Sequence, residues 1–461
     1  MASYQTEDRK YTKIESLYEP KPLEENPENE KRARKWHYPV GGSIISSAAV
    51  SGDAVYFGSC DKHLYALSTK DGKLLWKFKT GEPVVSSPTV IGGVVYFCGN
   101  DGYFYALTAD GDILWKYKMS SESSFSSPSI INGKIYFGSR NGYLYCLNLD
   151  GKEEWKTKAA GDNIFATPAV VNDTILFTSY DTNFYAFSTD GRLLWKFPMG
   201  NSSGGSATIV DDKFNEVWLF RRFNNRDPGK ISIKRGMAIF GSWDNHLYAL
   251  DIDDGRKVWS YIAGGLIASS PPVIDKRVYF GSYDNNFYCL GVEDGRLIWK
   301  VRTGGQIASS PAHSRGMICF GSYDQNIYAL SLTGEKSWSL LTGGMIDASP
   351  TICDNILYLG SFDTYFYAID LAAKKVIWQF KTSMPPVQMR DQVEIVTETT
   401  THKFTRWKPE VIMPKTSYEF RTESPTRTDG AYQSPNTYQS GVSGSYSDDK
   451  KKKKRPELGF F

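Results

Sequence analysis

The residues best able to do chemistry are few, and most of them recur at fixed offsets. The chain of 461 residues holds five histidines, His37, His63, His246, His313 and His402, and six cysteines. His63 and His246 share one offset, just before a Leu-Tyr pair, which reads as a surface-turn position rather than a metal pair. No Cys-x-x-Cys or Cys/His spacing for zinc occurs, so no metal site is expected. One carboxylate recurs as Asp61, Asp101, Asp181, Asp244, Asp284, Asp324 and Asp363, with Asn141 in its place once. An acid that returns to the same turn seven times does the same local work there, and capping backbone N–H groups is that work. No nucleophile–base pair and no phosphate-cradling glycine motif stands out, since Asp-Gly turns and Gly-Gly loops do not qualify. No catalytic residue is therefore assigned.

Binding chemistry has stronger candidates. The residue before the repeated acid runs Cys60, Asn100, Arg140, Tyr180, Trp243, Tyr283, Tyr323, Phe362. Five successive copies carry an aromatic ring, and Tyr and Trp anchors bury large area with little entropy lost. These rings either seal neighbouring loops or present a ligand or peptide surface. A second candidate is an insertion at about 211–234, where Val217-Trp218-Leu219-Phe220 precedes Arg221, Arg222, Phe223 and Arg226. It reads as an extra hairpin over the fourth and fifth repeats, or as a loop that pairs and stacks with an acidic or nucleic-acid partner. The third is the end of the chain, where Lys450–Arg455 gives six consecutive cations, followed by Leu458, Gly459, Phe460 and Phe461. A basic run is usually a solvated tail, but the hydrophobic tip makes it a candidate docking motif for an acidic partner, nucleic acid or an anionic surface.

The elements that position these residues are tandem repeats. Tryptophans mark the period: Trp76, Trp115, Trp155, Trp195, Trp259, Trp299, Trp338 and Trp378 follow one another at 39 or 40 residues, except for a gap of 64 after Trp195. The single insertion accounts for that gap. Each unit alternates with period two: Val-Tyr-Phe-Gly-Ser, an acid-bearing turn, Phe-Tyr-Ala-Leu, an Asp-Gly turn, a Trp strand, then a Gly-rich loop into Ser-Ser-Pro. Four short antiparallel strands in each of eight units predict an all-β fold, an eight-bladed β-propeller over 35–382. Ring closure also removes exposed sheet edges. Lys35-Trp36-His37-Tyr38-Pro39-Val40-Gly41-Gly42 resembles a Trp strand and its loop, so it competes with the Trp378 strand to complete the last blade.

The spacing Ala-x5-Gly-x3-Trp, as in Ala66 to Trp76 and Ala249 to Trp259, resembles the tryptophan-docking repeat of quinoprotein dehydrogenases. It is also similar to the repeat of the propeller lipoprotein in bacterial outer-membrane β-barrel assembly. The last copy departs from it, with Lys374 four residues before Trp378. The resemblance implies a PQQ-like propeller whose tryptophans pack between blades, broadly WD40-like in architecture. It also raises an oxidoreductase using pyrroloquinoline quinone (PQQ) and Ca2+ in the central funnel. Those enzymes carry long decorated loops, a metal constellation and often a vicinal cysteine pair, which this sequence does not match. Neither PQQ nor Ca2+ is expected, and fold likeness alone cannot assign an activity.

Bulk composition agrees. Net charge is only +3, so the chain as a whole makes no case for nucleic acid, and any such case rests on local segments. No run approaches the length of a membrane span and no signal-type stretch opens the chain, which predicts a cytoplasmic protein. Cys146 and Cys289 replace the Ala of the Tyr-Ala-Leu strand and read as small buried residues. Residues 1–34 form a charged flexible segment, 383–416 an added strand or hairpin, and 417–461 a disordered tail. The reading is a monomeric, non-catalytic scaffold that binds protein or peptide through one face. A funnel oxidoreductase and a nucleic-acid-associated protein are the alternatives.

Overall fold

The computed structural model describes residues 42–120, 123–218 and 227–382, with the strands Val393–Thr397 and Thr400–Phe404. The chain divides into units Met1–Glu410 and Val411–Phe461, and every described residue lies in the first. Eight antiparallel sheets span 49–79, 89–118, 129–158, 169–198, 208–262, 273–302, 312–341 and 351–381, hereafter blades 1 to 8. Seven have four strands; blade 5 has a fifth. First strands lie side by side at the junctions 1/2, 2/3, 3/4, 7/8 and 8/1, and hydrogen bonds link the entering loops of blades 4 to 7, so the ring closes with first strands innermost except where the insertion lies inside blade 5. Val393–Thr397 and Thr400–Phe404 pair as a separate two-stranded hairpin.

The repeat motifs now have physical reasons. In every blade a small residue of the third strand faces the tryptophan across the sheet, as Ala66 faces Trp76 and Cys289 faces Trp299. A bulge follows at once in all eight. The motif glycine does not serve its own tryptophan. It receives the indole of the preceding blade: a Cβ on Gly111 would come within 2.7 Å of Trp76, and one on Gly295 within 2.6 Å of Trp259. The indole N–H then donates to a carbonyl of that next blade, Trp76 to Ala109 at 2.7 Å and Trp259 to Val292 at 2.9 Å. Lys374 stands where blade 8 should receive Trp338, and there the Trp338 Nε1 is buried with no acceptor. Between the sheets, phenylalanine pairs meet across every second junction, stacked at 4.0 Å for Phe57–Phe366 and 4.2 Å for Phe184–Phe240 and tilted at 4.6 Å for Phe104–Phe137.

The two serines of Ser-Ser-Pro have separate tasks. The first binds its own blade: the Ser46 hydroxyl donates to the Gly58 carbonyl at 2.9 Å and accepts the Gly58 N–H at 2.7 Å. The second belts neighbouring blades, its backbone N–H donating to the hydroxyl of the next blade, as Ser47 to Ser87 at 3.0 Å and Ser270 to Ser310 at 2.8 Å.

The repeated aspartate staples neighbours as well as capping its turn. Asp324 accepts the Asn326 N–H at 3.0 Å, the Tyr328 hydroxyl at 2.6 Å, and the Gly304 N–H from the end of blade 6 at 2.8 Å. Asp101, Asp181, Asp244, Asp284 and Asp363 accept the matching glycine N–H groups at 2.6 to 3.0 Å. Where Asn141 replaces the acid, Tyr145 turns instead to Ser120, whose N–H donates to its hydroxyl at 3.0 Å.

Closure settles the competition between the two ends. The strand Lys375–Lys381, carrying Trp378, is the outermost strand of blade 8, and Trp378 Nε1 donates to the Thr69 carbonyl of blade 1 at 3.0 Å. Elsewhere a Thr hydroxyl bonds the carbonyl two residues on, as Thr303 to Gly305 at 2.7 Å. At the junction of blades 8 and 1 the two halves come from opposite ends of the chain, Thr382 donating to Gly42 at 2.6 Å. Residues 35–41 lie outside the described residues.

The insertion adds an inner strand. Glu216–Trp218 pairs with Thr208–Asp211, the first strand of blade 5, on its axis side, and approaches the first strand of blade 4. The chain returns along the turns joining first and second strands: Asp227 accepts the N–H groups of Asn132 and Gly133 at 2.7 and 2.6 Å, and Asn172 exchanges bonds with Ile231 and Ile233. This covers the lower face at blades 3 and 4. Arg221, Arg222, Phe223 and Arg226 fall outside the described residues, as do Lys450–Arg455, Leu458, Phe460 and Phe461.

Candidate binding site at the channel mouth

In an antiparallel blade the turn after the second strand and the loop entering the next blade share one face, opposite the turns that the insertion covers. Two residues from each blade define this upper tier. One precedes the repeated acid, giving the sequence-predicted series. The other follows the buried residue of the entering loop, and around the ring it reads Ile45, Val85, Phe125, Phe165, Gly204, Ala268, Ala308, Asp347. All eight are half-buried, although the residues before them are buried.

Tyr180, Trp243, Tyr283, Tyr323 and Phe362 are all half-buried on this tier. They do not form one continuous arc. Phe125 stacks on Phe165 at 4.5 Å, Phe165 on Tyr180 at 4.6 Å, and Tyr180 meets Trp243 at 5.0 Å, making one slab across blades 3 to 5. A second cluster joins blades 6 to 8. Tyr283 and Tyr323 lie 5.9 Å apart with their hydroxyls 3.3 Å from each other, and the Tyr323 hydroxyl donates to Asp347 Oδ1 at 2.9 Å. Phe362 is anchored through its backbone, its N–H donating to the Met345 carbonyl at 3.0 Å.

Asp347 is the one acid among the eight lining positions. Burial raises its carboxyl above the usual aspartate range, against a lowering by the Tyr323 hydrogen bond. Burial likewise raises the Tyr180, Tyr283 and Tyr323 hydroxyls, and the Asp347 charge raises each further. The Cys60 thiol is pushed up to about 12 by burial, with Asp61 and Asp347 adding to it. A carboxylate on blade 8 that acts on blades 1, 4, 6 and 7 points toward the axis they share.

The mouth thus offers aromatic rings, phenolic hydroxyls, the Arg140 guanidinium and one carboxylate, a set suited to recognition rather than bond-making. Among the described residues no three His, Cys, Asp or Glu side chains gather as a metal site. At the start of third strands His63 lies tilted against Tyr65 and His246 stacks on Tyr248, each with its Nδ1 3.0 Å from a carbonyl, of Asp61 and Asp244 respectively. The acid-preceding series found half of the tier. It missed Phe125, Phe165 and Asp347, which the column after the buried loop residue would have shown.

Residues 27–131, 122–216 and 243–405 match the family described as outer membrane protein assembly factor BamB. No curated protein sequence matches the chain significantly. Among solved structures, BamB from Moraxella catarrhalis superposes with a TM-score of 0.56 at 17% identity, over 71% of this chain and 97% of that one. Sqt1 of Saccharomyces cerevisiae gives 0.57 at 12% identity, over 70% and 94%. The computationally designed protein Ika8 gives 0.58 at 14% identity, over 72% and 98%. At such identities these likenesses speak to the fold alone.

Proposed function

The chain belongs to the BamB family of PQQ-like propellers, and from that premise we propose that it is a non-catalytic scaffold whose upper face binds a protein or peptide. One observation carries the reading: two aromatic clusters stand half-buried around the channel mouth, joined to rigid loops. Rings held this way give large contact area with little side-chain entropy left to lose on binding. The hydrogen-bonded belt and the aspartate staples hold the loops, so the face is preorganised. Lys450–Arg455 with Leu458, Phe460 and Phe461 supplies a second contact in this proposal. All six cysteines are unpaired, which suits a reducing cytoplasmic compartment. Among the described residues no helix is long and apolar enough to cross a membrane.

The test is affinity purification from source cells with the intact chain and with Trp243→Ala/Tyr283→Ala/Tyr323→Ala, each first shown to unfold cooperatively. A specific protein partner recovered with the intact chain and lost with the variant supports the proposal. Equal recovery by both baits contradicts it.

A further inference from the structure

The upper mouth gathers hydrogen-bond acceptors, and no cation acts on the carboxylate among them, Asp347. Asp347 accepts one tyrosine hydroxyl through Oδ1, and no Lys or Arg acts on its carboxyl. Arg140 holds the acid-preceding position of blade 3 and is not among the groups that move Asp347. Asn100, at the position that Tyr283 and Tyr323 occupy in their blades, is only 8% exposed, and its Oδ1 has no donor. Gln306, in the loop entering blade 7, likewise holds a buried Oε1 without a donor. An unmatched buried acceptor is costly, so the Asn100 and Gln306 amide oxygens, with an Asp347 carboxyl on which no cation acts, favour a ligand that brings N–H groups.

Shape and charge narrow the choice. Gly204, Ala268 and Ala308 keep the lining short on blades 5 to 7, between Phe165 and Asp347 in ring order. The stacked rings Phe125, Phe165 and Tyr180 continue the lining beside them. An anion would meet Asp347 with repulsion, and an apolar group would leave the acceptors dry and unpaired.

We propose that the channel mouth is a receptor for a single cationic side chain, a lysine or arginine displayed by a protein partner, with Asp347 as its counter-charge. This rests on the protein-binding reading above and gives the chemistry of its central contact.

The test uses the full chain and peptides selected on it from a random phage-displayed library. Each selected peptide is remade with its arginines changed to citrulline or its lysines to norleucine, one at a time. Affinities are measured for the wild-type chain, Asp347→Asn and Asp347→Ser, all checked for cooperative unfolding. The expected result is one cationic residue whose neutral replacement weakens wild-type binding roughly tenfold or more and leaves binding to both Asp347 variants nearly unchanged. Neutral replacement that weakens wild type and both variants alike would overturn the proposal. So would selected peptides with no cationic requirement, which would leave the protein-binding reading standing. A library that yields no peptide at all would count against both.

Discussion

Replacing Gly295 by Ala should destabilise the ring far more than the same change at Gly316, although both glycines have similar backbones. Their φ angles are +67° and +77°, so each alanine meets the left-handed region, which costs an L-residue roughly 1 to 2 kcal/mol. Around Gly316 nothing lies within 4 Å of a new Cβ, and that backbone cost is the whole effect. At Gly295 the Cβ would sit 2.6 Å from Trp259 Cε3 and 2.8 Å from Cδ2, which no real packing allows. The indole is only 8% exposed and must shift, straining its 2.9 Å bond to the Val292 carbonyl. Overpacking of about 1 to 3 kcal/mol and a hydrogen bond of about 1 kcal/mol then add to the backbone cost. Gly295→Ala should therefore cost about 2 to 4 kcal/mol more than Gly316→Ala, read as the difference in urea unfolding free energy at equal m. Lys374→Gly is the converse case: it removes a φ of +55° from a lysine and should raise stability by about 0.5 to 1 kcal/mol. Equal losses at Gly295 and Gly316 would refute the account of tryptophan docking between blades.

Asp324→Ala strips one carboxylate from three donors, the Tyr328 hydroxyl and the Gly304 and Asn326 N–H groups, and should cost about 3 kcal/mol in denaturant unfolding. Asp324→Asn should cost less, because the Asn141 blade shows that an amide is tolerated when the tyrosine finds another partner. Asp347 has its folded-state carboxyl raised by burial, so the fold holds that proton more tightly than the unfolded chain does. Its contribution opposes folding once pH rises from below the ordinary aspartate value through the raised one, at about 1.4 kcal/mol per pKa unit. Asp347→Asn should accordingly unfold at higher urea than wild type at neutral pH, with the gap closing in acid below that range. Cys60, with its thiol pushed up to about 12, should react with iodoacetamide at neutral pH far more slowly than an exposed thiol.

The blades were legible because their signals are local. Period-two alternation, Asp-Gly turns and the tryptophan spacing each lie within one repeat, and the small residue opposite each tryptophan is read from Tyr-Ala-Leu directly. The motif glycine was legible as a residue but not as a contact, since its indole comes from the preceding blade. Its one departure, Lys374, coincides with a docking tryptophan, Trp338, whose N–H is buried without an acceptor. Both ends of the chain carry a Trp-strand pattern, and only the geometry of Thr382 against Gly42 shows how the ring closes. At the mouth, the acid-preceding series displayed five aromatics, yet their division into two clusters depends on which loop residues intervene. Phe125 and Phe165 extend one cluster, and Asp347 anchors the other through Tyr323. Those three sit in loops of variable sequence, and only closure of the ring brings them to a common axis.

The most direct test of the scaffold account is photo-crosslinking from the two faces in source cells. p-Benzoylphenylalanine would be placed singly at positions 180 and 362 on the upper face, and at 53 and 355 in lower-face turns. The account predicts that positions 180 and 362 crosslink the same partner protein while 53 and 355 do not. Crosslinks confined to positions 53 and 355, or an equal pattern from all four, would contradict it.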